Sequence, residues 1–313
     1  MARLKRIKLA HGLKTNHPVH LTLERMAKRV TELSDGQLKV EIFPSEQLGN
    51  ENECLEALRR GYLGMTKTSS GPMEAFVPRL RIFGIPYLFR DGQHFWKVAL
   101  GPIGKDLLLA SESSGLRGLC YYDAGARSFY SKKSITRPSD LKGKKVRVNN
   151  SMMAMEMIAA MGGTPTPTPW GKLYTSLDQG VVDAAENNPP SFYSSRHYEI
   201  CKYFSLDEHM RLPDMLVVSV KVWVDLTAQQ QQWLQQAVDE SVTYGRGLWA
   251  EEEKTSLGIV KEAGIKVLYP DKKPFLDAVK PLWDKFLDAK DEEDMAIGKL
   301  IRKIQEIGNH GAR

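Results

Sequence analysis

Arg147 is the residue whose type and position most directly suggest ligand chemistry. It stands in the segment KKVRVNNS, residues 144–151, at the end of a short apolar run and just before a predicted helix. A guanidinium there can donate two parallel hydrogen bonds to a carboxylate, with a geometry that lysine cannot supply. On local sequence alone, an ordinary surface arginine on an edge strand is the simpler interpretation.

Further polar and aromatic side chains follow predicted strands or begin loops. Arginines select carboxylates, asparagine amides offer the donor and acceptor that hydroxyl groups require, and an indole suits the C–H face of a sugar ring. Together they predict a site for an acidic, polyhydroxylated small molecule. The members are Asn16, His17, Ser69, Ser70, Arg127, Arg147, Asn150, Trp170 and Asn187. Each also has a simpler role: Asn16 as a helix cap, Trp170 as core, and Arg127 as an ion-pair partner.

The sequence contains no recognisable catalytic, nucleotide-binding or metal-binding motif. G-x-S-x-G, H-E-x-x-H, the P-loop and the dinucleotide fingerprint are all missing. His197 and His209 lie near acidic residues at spacings that match no metal site, so we predict hydrogen-bonded, partly buried histidines. We expect no cofactor and no metal, although triads assembled in space leave an enzyme open. Three cysteines without ligand spacing are predicted to be small buried hydrophobes: Cys54, Cys120 and Cys201.

Composition indicates an ordinary globular protein of one or two domains. The chain has 313 residues, a net charge of +6, 42% hydrophobic and 26% charged residues. Its basic residues are scattered, which argues against nucleic-acid binding. No apolar stretch approaches the roughly 20 residues that cross a bilayer. The basic start at residues 1–6 lacks an apolar core, so it is not a signal peptide, which leaves a cytosolic protein or a mature chain with an added Met1.

The order of predicted elements favours an α/β fold with mostly parallel strands. The opening is β-α-β-α-β, which places helices on the faces of a parallel sheet. We predict strands at 6–9, 38–42, 63–68, 116–122, 128–131, 146–148, 181–185 and 215–220. We predict helices beginning near Asn16 (cap) and Pro18, at Asn50, at 151–161, 172–179, 227–264, 271–286 and 292–307. Residues 164–169 alternate Thr and Pro and are predicted to be extended and rigid.

The helix predicted at 227–264 bears on domain organisation. Thr227 and Gln230 have the spacing of a capping box, and roughly 36 helical residues would span about 54 Å. That length exceeds the diameter of one domain, so the helix either bends or spans two lobes. Two α/β lobes predict a cleft between them, which is a preferred place for a ligand.

Three segments in a fixed order resemble one family. FGIPYLF at 83–89, DLKGKKVR at 140–147 and GVVDAAEN at 180–187 resemble the periplasmic substrate-binding proteins of TRAP transporters, the DctP family, over residues 6–286. The resemblance implies a two-lobed periplasmic binding protein fold, with a long helix spanning both lobes and closure around one organic acid. It implies lobe I at 1–125 and 213–255, lobe II at 126–212 and 256–313, and hinge strands near 124–128 and 211–216.

The resemblance also assigns roles to residues. The family's carboxylate-clamping arginine corresponds to Arg147, its frequent second arginine to Arg127, and its pocket asparagine to Asn187. Further ligand-binding positions fall on Trp170 and Asn150, and more loosely on Asn16, His17, Glu51 and Ser69. The pair Ala184–Ala185 departs from the family, in which glycine is common at the first position. An added methyl there should matter little to the ligand.

One further segment narrows the expected ligand. ENNPPSFY at 186–193, with PWG at 169–171 before it, resembles the subgroup that binds hexuronates such as glucuronate and galacturonate. We therefore expect a monomeric periplasmic receptor, not an enzyme, that delivers a uronate to TRAP membrane subunits, its signal peptide missing from this chain. The alternatives are a lyase or isomerase acting on sugar acids, with His17 or His209 as base, and a ligand-sensing module of a regulator.

Overall fold

The structure is a computed structural model that describes residues 4–307. The strands are β1 Lys5–Ala10, β2 Leu38–Phe43, β3 Met65–Ser69, β4 Leu116–Tyr122, β5 Arg127–Ser131, β6 Lys145–Val148, β7 Thr164–Pro167, β8 Ala184–Asn187, β9 Tyr203–Met210, β10 Asp214–Ser219 and β11 Lys266–Leu268. The helices are α1 Pro18–Leu33, α2 Glu51–Arg60, α3 Ser70–Met73, α4 Gly92–Ala99, α5 Pro102–Leu109, α6 Met152–Ala160, α7 Leu173–Asp178, α8 Pro189–Ser194, α9 Val220–Val224, α10 Ala228–Glu262, α11 Lys273–Leu287 and α12 Glu292–Ile307. None of these helices is both long and apolar enough to cross a membrane.

The described chain divides into two compact α/β units. The first unit comprises residues 4–69, 108–123 and 213–254, and the second comprises 70–107, 124–212 and 255–307. The sequence interpretation placed 70–107 in the first lobe, whereas this segment packs within the second unit. Its α3 and the short 3-10 helix at Pro78–Gly84 contact α6, and that 3-10 helix also contacts α12. A Cβ on Gly84 would lie 2.6 Å from the Cβ of Met153, so this close packing depends on glycine.

The first unit is built on a five-stranded sheet with the order β2-β1-β3-β10-β4. β1 is parallel to both β2 and β3, which confirms the predicted β-α-β-α-β opening. β10 is antiparallel to β3 and β4, and its first residue, Asp214, pairs with Ser69 and with Tyr122. The ends of β3 and β4 and the start of β10 therefore meet at one edge of the sheet.

The second unit contains a six-stranded sheet with the order β11-β9-β5-β8-β6-β7. β8 is parallel to β6 and antiparallel to β5, with Ser128 opposite Asn187 and Arg147 opposite Ala185. The start of β5 and the ends of β6 and β8 consequently lie at one edge. A core of aromatic side chains including Tyr130, Phe192 and Phe204 packs against this sheet.

Side-chain capping explains where several helices start, and for α1 it corrects the predicted cap residue. Asn50 caps α2 through a reciprocal capping box with Glu53, and Ser151 caps α6. His17 caps α1, because its Nδ1 accepts a hydrogen bond from the amide of Val19. The prediction that Asn16 is the cap was therefore wrong, and Asn16 is exposed.

Both ends of one predicted strand also differ from those in the structure. The strand predicted at 181–185 begins only at residue 184 and continues to Asn187. The prolines that follow, Pro189 and Pro190, begin α8, where the fixed φ of proline is compatible with the first helical turn. β9 and helices α4 and α5 were not predicted.

Candidate functional site

Arg147 is buried in β6, with 3% of its surface exposed, so the alternative of a surface arginine was wrong. Its Nε and Nη2 donate hydrogen bonds of 2.9 and 2.8 Å to the carbonyl oxygen of Thr168. Its Cζ lies 5.4 Å from the centre of the Trp170 ring, a cation–π contact. The guanidinium is thereby fixed in orientation by the rigid Thr-Pro segment that follows α6.

Arg127, the second predicted arginine, binds a protein carboxylate. Its Nη2 donates to Glu186 Oε1 at 2.8 Å, and its Nε pairs with Oε2 of the same carboxylate. Its Nη1 donates to Asn187 Oδ1 at 3.2 Å. Arg127 therefore holds two consecutive residues of β8 in place, and the simpler role of ion-pair partner describes its contacts with Glu186.

Two further charged residues complete this buried cluster. His209 Nδ1 lies 2.8 Å from Asp207 Oδ2, and His209 Nε2 lies 3.5 Å from Glu186 Oε2, which is an ion-pair distance rather than a hydrogen bond. Burial would lower the pKa of His209, but the neighbouring charge of Asp207 raises it to about 9. Burial likewise opposes ionisation of Glu186, but the charge of Arg127 lowers its pKa to about 2. Two cations thus balance two carboxylates in a region of negligible exposure.

The remaining predicted site residues of the second unit differ from one another in burial and in the groups that they contact. Trp170 is half-buried, and its ring meets that of His197 edge-on with a centroid distance of 5.2 Å. His197 Nδ1 is 2.9 Å from the hydroxyl of Tyr130, as expected for a buried hydrogen-bonded histidine. Asn150 is exposed and directly precedes Ser151, the cap of α6. Asn187 is buried at the end of β8.

In the first unit, two of the predicted residues are hydrogen-bonded to each other where β3 ends. Ser69 donates its backbone N–H to Glu51 Oε1 at 2.7 Å, and Glu51 begins α2. His17 is buried, and its ring centre lies 5.9 Å from that of Trp249. Asn16, by contrast, is exposed on the loop before α1.

Sequence reasoning missed Lys67 and Asp214 at the same edge. Lys67 is 5% exposed, and its Nζ lies 3.0 Å from Asp214 Oδ1 and 3.8 Å from Glu51 Oε1. Burial, then the charge of Lys67, lowers the pKa of His17 well below its usual value and that of His11 to about 3. Both imidazoles are therefore neutral at pH 7. The available signal was a lysine inside a predicted strand, that at 63–68.

Buried arginine, asparagine and lysine side chains therefore lie at the strand ends of the two sheets. The three cysteines are buried, and burial raises the pKa of the Cys201 thiol to about 12. No group of three or more His, Cys, Asp or Glu side chains within residues 4–307 is arranged to hold a metal ion.

The chain belongs to the bacterial extracellular solute-binding proteins, family 7 (DctP), whose family model matches residues 9–290. It is 40% identical to a TRAP periplasmic solute-binding protein of Bradyrhizobium sp. BTAi1 solved with α/β-D-galacturonate (TM-score 0.91; 96% of this chain and 100% of that one). It is 32% identical to one of Chromohalobacter salexigens solved with D-glucuronate (TM-score 0.91; 96% and 99%). The 2,3-diketo-L-gulonate-binding periplasmic protein of Escherichia coli is 31% identical, over 83% of this chain and 80% of that protein.

These matches confirm the predicted family, the two-lobed α/β fold class and the role of a TRAP solute receptor. Members of the family are receptors and not enzymes, so the alternative of a lyase or isomerase is not supported. The roles of the individual site residues remain predictions.

Proposed function

We propose that the chain binds a hexuronate, D-galacturonate or D-glucuronate, and supplies it to TRAP membrane subunits from the periplasm. Arg147 takes the ligand carboxylate in this proposal. The observation that carries it is the buried guanidinium, which the Thr168 carbonyl and the Trp170 ring hold in one orientation. A guanidinium fixed in this way loses little conformational entropy when it binds a carboxylate.

The other predicted residues have supporting roles in the proposal. Arg127 positions Asn187, whose amide binds a ligand hydroxyl. Trp170 and Asn150 are the other ligand-binding residues of the second unit. His17, Ser69, Glu51 and Asn16 contribute from the first unit. We further propose that the two compact units are the two lobes of the receptor and that the chain acts as a monomer. Light scattering at a mass of 35.3 kDa tests the monomer.

Calorimetric titration of Arg147→Ala with D-galacturonate and D-glucuronate tests the carboxylate assignment. Loss of one partner of a buried charge pair costs about 2–5 kcal/mol, or roughly 30-fold to several-thousand-fold in affinity. Arg147→Lys should recover only part of this loss, since an ammonium cannot form the two-pronged contact.

The matched control is Arg137→Ala in the same unit, whose side chain is 71% exposed. This variant should bind like the wild type. A dissociation constant unchanged by Arg147→Ala would remove Arg147 from the site, and a wild type that binds neither uronate would refute the proposed ligand class.

A further inference from the structure

The second sheet is lined by lysines at the end opposite to the one that carries the predicted site. Ser131 of β5 pairs with Ala184 of β8 and with Tyr203 of β9. The same row continues through Val146 in β6 and Lys266 in β11. Neighbouring strands lie about 4.8 Å apart, so this row of five strands is about 19 Å wide. Six lysines lie in this row or within two residues of it along the chain, and they are called the lysine row: Lys132, Lys133, Lys144, Lys145, Lys202 and Lys266.

The lysine row is not balanced by ion pairs. Within residues 4–307, none of its ammonium groups lies within ion-pair distance of a carboxylate. Lys132 and Lys202 donate hydrogen bonds to backbone carbonyl oxygens, at 3.4 and 3.2 Å. All the members except Lys144, which is half-buried, are exposed. Like charges in this arrangement repel one another, so an anionic partner would stabilise them.

The acidic residues of the connections at this end offset only part of the charge. Two of them are paired with arginines of the same connections: Asp140 with Arg137, and Glu199 with Arg196. Asp183 accepts the backbone N–H of Lys145 at 2.8 Å, and Asp178 ends α7. These two carboxylates face six ammonium groups, so the end of this sheet has a positive excess in a protein whose net charge is +6.

An exposed apolar side chain lies among these charges. Val181 stands in the connection that leads into β8, the strand between β5 and β6, and 51% of its surface is exposed. Basic side chains around an apolar one suit the surface of an anionic bilayer, because the charges attract phosphate headgroups while the apolar group enters the boundary of the acyl chains. The combination therefore favours a bilayer over a purely acidic surface.

The choice of lysine and the shape of the row also fit a bilayer. An ammonium is a hydrated point charge without the fork of a guanidinium, so it is attracted to a layer of phosphates without matching one in particular. The six groups follow the end of a sheet and do not converge on one point, so they can meet several headgroups at once. Each lysine near such a surface contributes a factor of about five to the partition coefficient.

We propose that the lysine row, together with Val181, binds the anionic phospholipid surface of a bilayer. Arg127 begins β5 and Lys132 follows its end, so this contact leaves the predicted ligand residues at the other end of the sheet free. The contact holds the receptor beside a membrane, which raises its local concentration there. The inference does not depend on which solute the receptor binds.

Co-sedimentation of the full chain with lipid vesicles tests the inference. The wild type should bind vesicles of equimolar phosphatidylglycerol and phosphatidylcholine, and it should not bind vesicles of phosphatidylcholine alone. Binding should fall as salt is added, because the exposed charges are screened. Lys132→Gln with Lys202→Gln should lower the partition coefficient by about 25-fold, at a factor of about five for each lysine.

Lys299→Gln with Lys303→Gln is the matched control. It removes the same charge from two exposed lysines of the second unit that lie on α12, away from the sheet. This variant should keep the partition coefficient of the wild type. Thermal melting confirms that both double variants are folded before their binding is compared.

Three results would overturn the inference: a wild type that binds neither kind of vesicle, a wild type that binds both kinds equally, or a control that loses as much binding as the variant of the lysine row. A wild type that ignores vesicles but binds purified TRAP membrane subunits through Lys132 and Lys202 belongs to the first result, and it would assign the row to an acidic protein surface. None of these results bears on the uronate titrations, so the proposed function is tested separately.

Discussion

At the residue scale, the two buried arginines of the predicted site differ in what each guanidinium contacts. Arg127 is bound by the carboxylate of Glu186, and with His209 and Asp207 it forms a buried set of balanced charge. Arg147 instead donates to a neutral carbonyl oxygen, that of Thr168. The Thr168 carbonyl and the Trp170 ring hold the Arg147 guanidinium in one orientation, which is the reason to expect the ligand carboxylate there.

Glu74 is a buried carboxyl that contacts the loop after β6. Its Oε1 accepts a 2.6 Å hydrogen bond from the Ser151 hydroxyl, and its Oε2 lies 3.3 Å from the amide of Met153. Burial raises its pKa from the usual 4.5 to about 7, although these hydrogen bonds and the charge of Arg81 act in the opposite direction. Arg81 is itself paired with Glu293 at 2.9 Å.

This raised pKa predicts a pH dependence of stability with a definite sign. Because the pKa in the folded state exceeds that in the unfolded state, the contribution of Glu74 is complete below about pH 4.5 and is lost as the pH rises through about 7. Glu74→Gln cannot ionise, so at pH 8 it should be more stable than the wild type, by about 1–3 kcal/mol. Urea unfolding at pH 5 and pH 8 measures the difference.

The advantage of Glu74→Gln should shrink at pH 5, where the wild-type carboxyl is protonated. Glu306→Gln, at an exposed position of α12, serves as the control and should match the wild type at both pH values. An equal effect of Glu74→Gln at pH 5 and pH 8 would show that packing, and not ionisation, sets its contribution.

At the scale of elements, sequence patterns predicted those that depend on local chemistry. The caps Asn50 and Ser151 and the capping box of Thr227 and Gln230 act within one turn of a helix, and each is present. β9 escaped prediction because it carries Asp207 and His209 in a register shift opposite β5. His209 pairs with Asp207 of the same strand and, at 3.5 Å, with Glu186, which is distant in sequence, and no local pattern contains that second contact.

The edge strand β7 shows how its own sequence protects it. Thr164 and Thr168 donate their backbone N–H groups to β6, to Lys144 and Val148. Because neighbouring residues of a strand point their amides in opposite directions, Pro165 and Pro167 occupy the outward positions, where an N–H would otherwise be exposed. At residues 165 and 167, the outer edge of the sheet therefore has no N–H group to which another strand could bind.

Replacing both prolines should make β7 an open edge. We expect Pro165→Val with Pro167→Val to associate through this strand, seen as a rise in mass by light scattering and in thioflavin fluorescence on heating. Thr166→Val is the control, since it raises strand propensity without adding an outward N–H. A double variant that stays as monodisperse as this control would show that the prolines have another role.

At the scale of the whole molecule, the two compact units differ from the predicted lobes in the segment 70–107. The segment 70–107 contributes no strand to either sheet, so its periodicity could not show which unit it packs against. Its place in the second unit depends on close approaches to the loop before α6, such as that of Gly71 to Asn149 and Ser151. The overall class was predictable because strands, crossover helices and the family segments follow one another along the chain.

Ligand binding should raise the stability of the whole molecule by mass action. At a ligand concentration of 100 times Kd the gain is about 2.7 kcal/mol, and for a chain of this length an unfolding entropy of about 2.1 cal/mol/K per residue converts this to an increase in Tm of about 4 °C. We expect this shift with D-galacturonate or D-glucuronate and none with succinate at the same concentration, because the dicarboxylate lacks the hydroxyl groups. The Arg147→Ala variant should lose the shift while Arg137→Ala retains it, which separates binding at the predicted site from a general effect of the anion. Equal shifts with succinate and the uronates would contradict the uronate assignment but leave the solute-receptor family untouched.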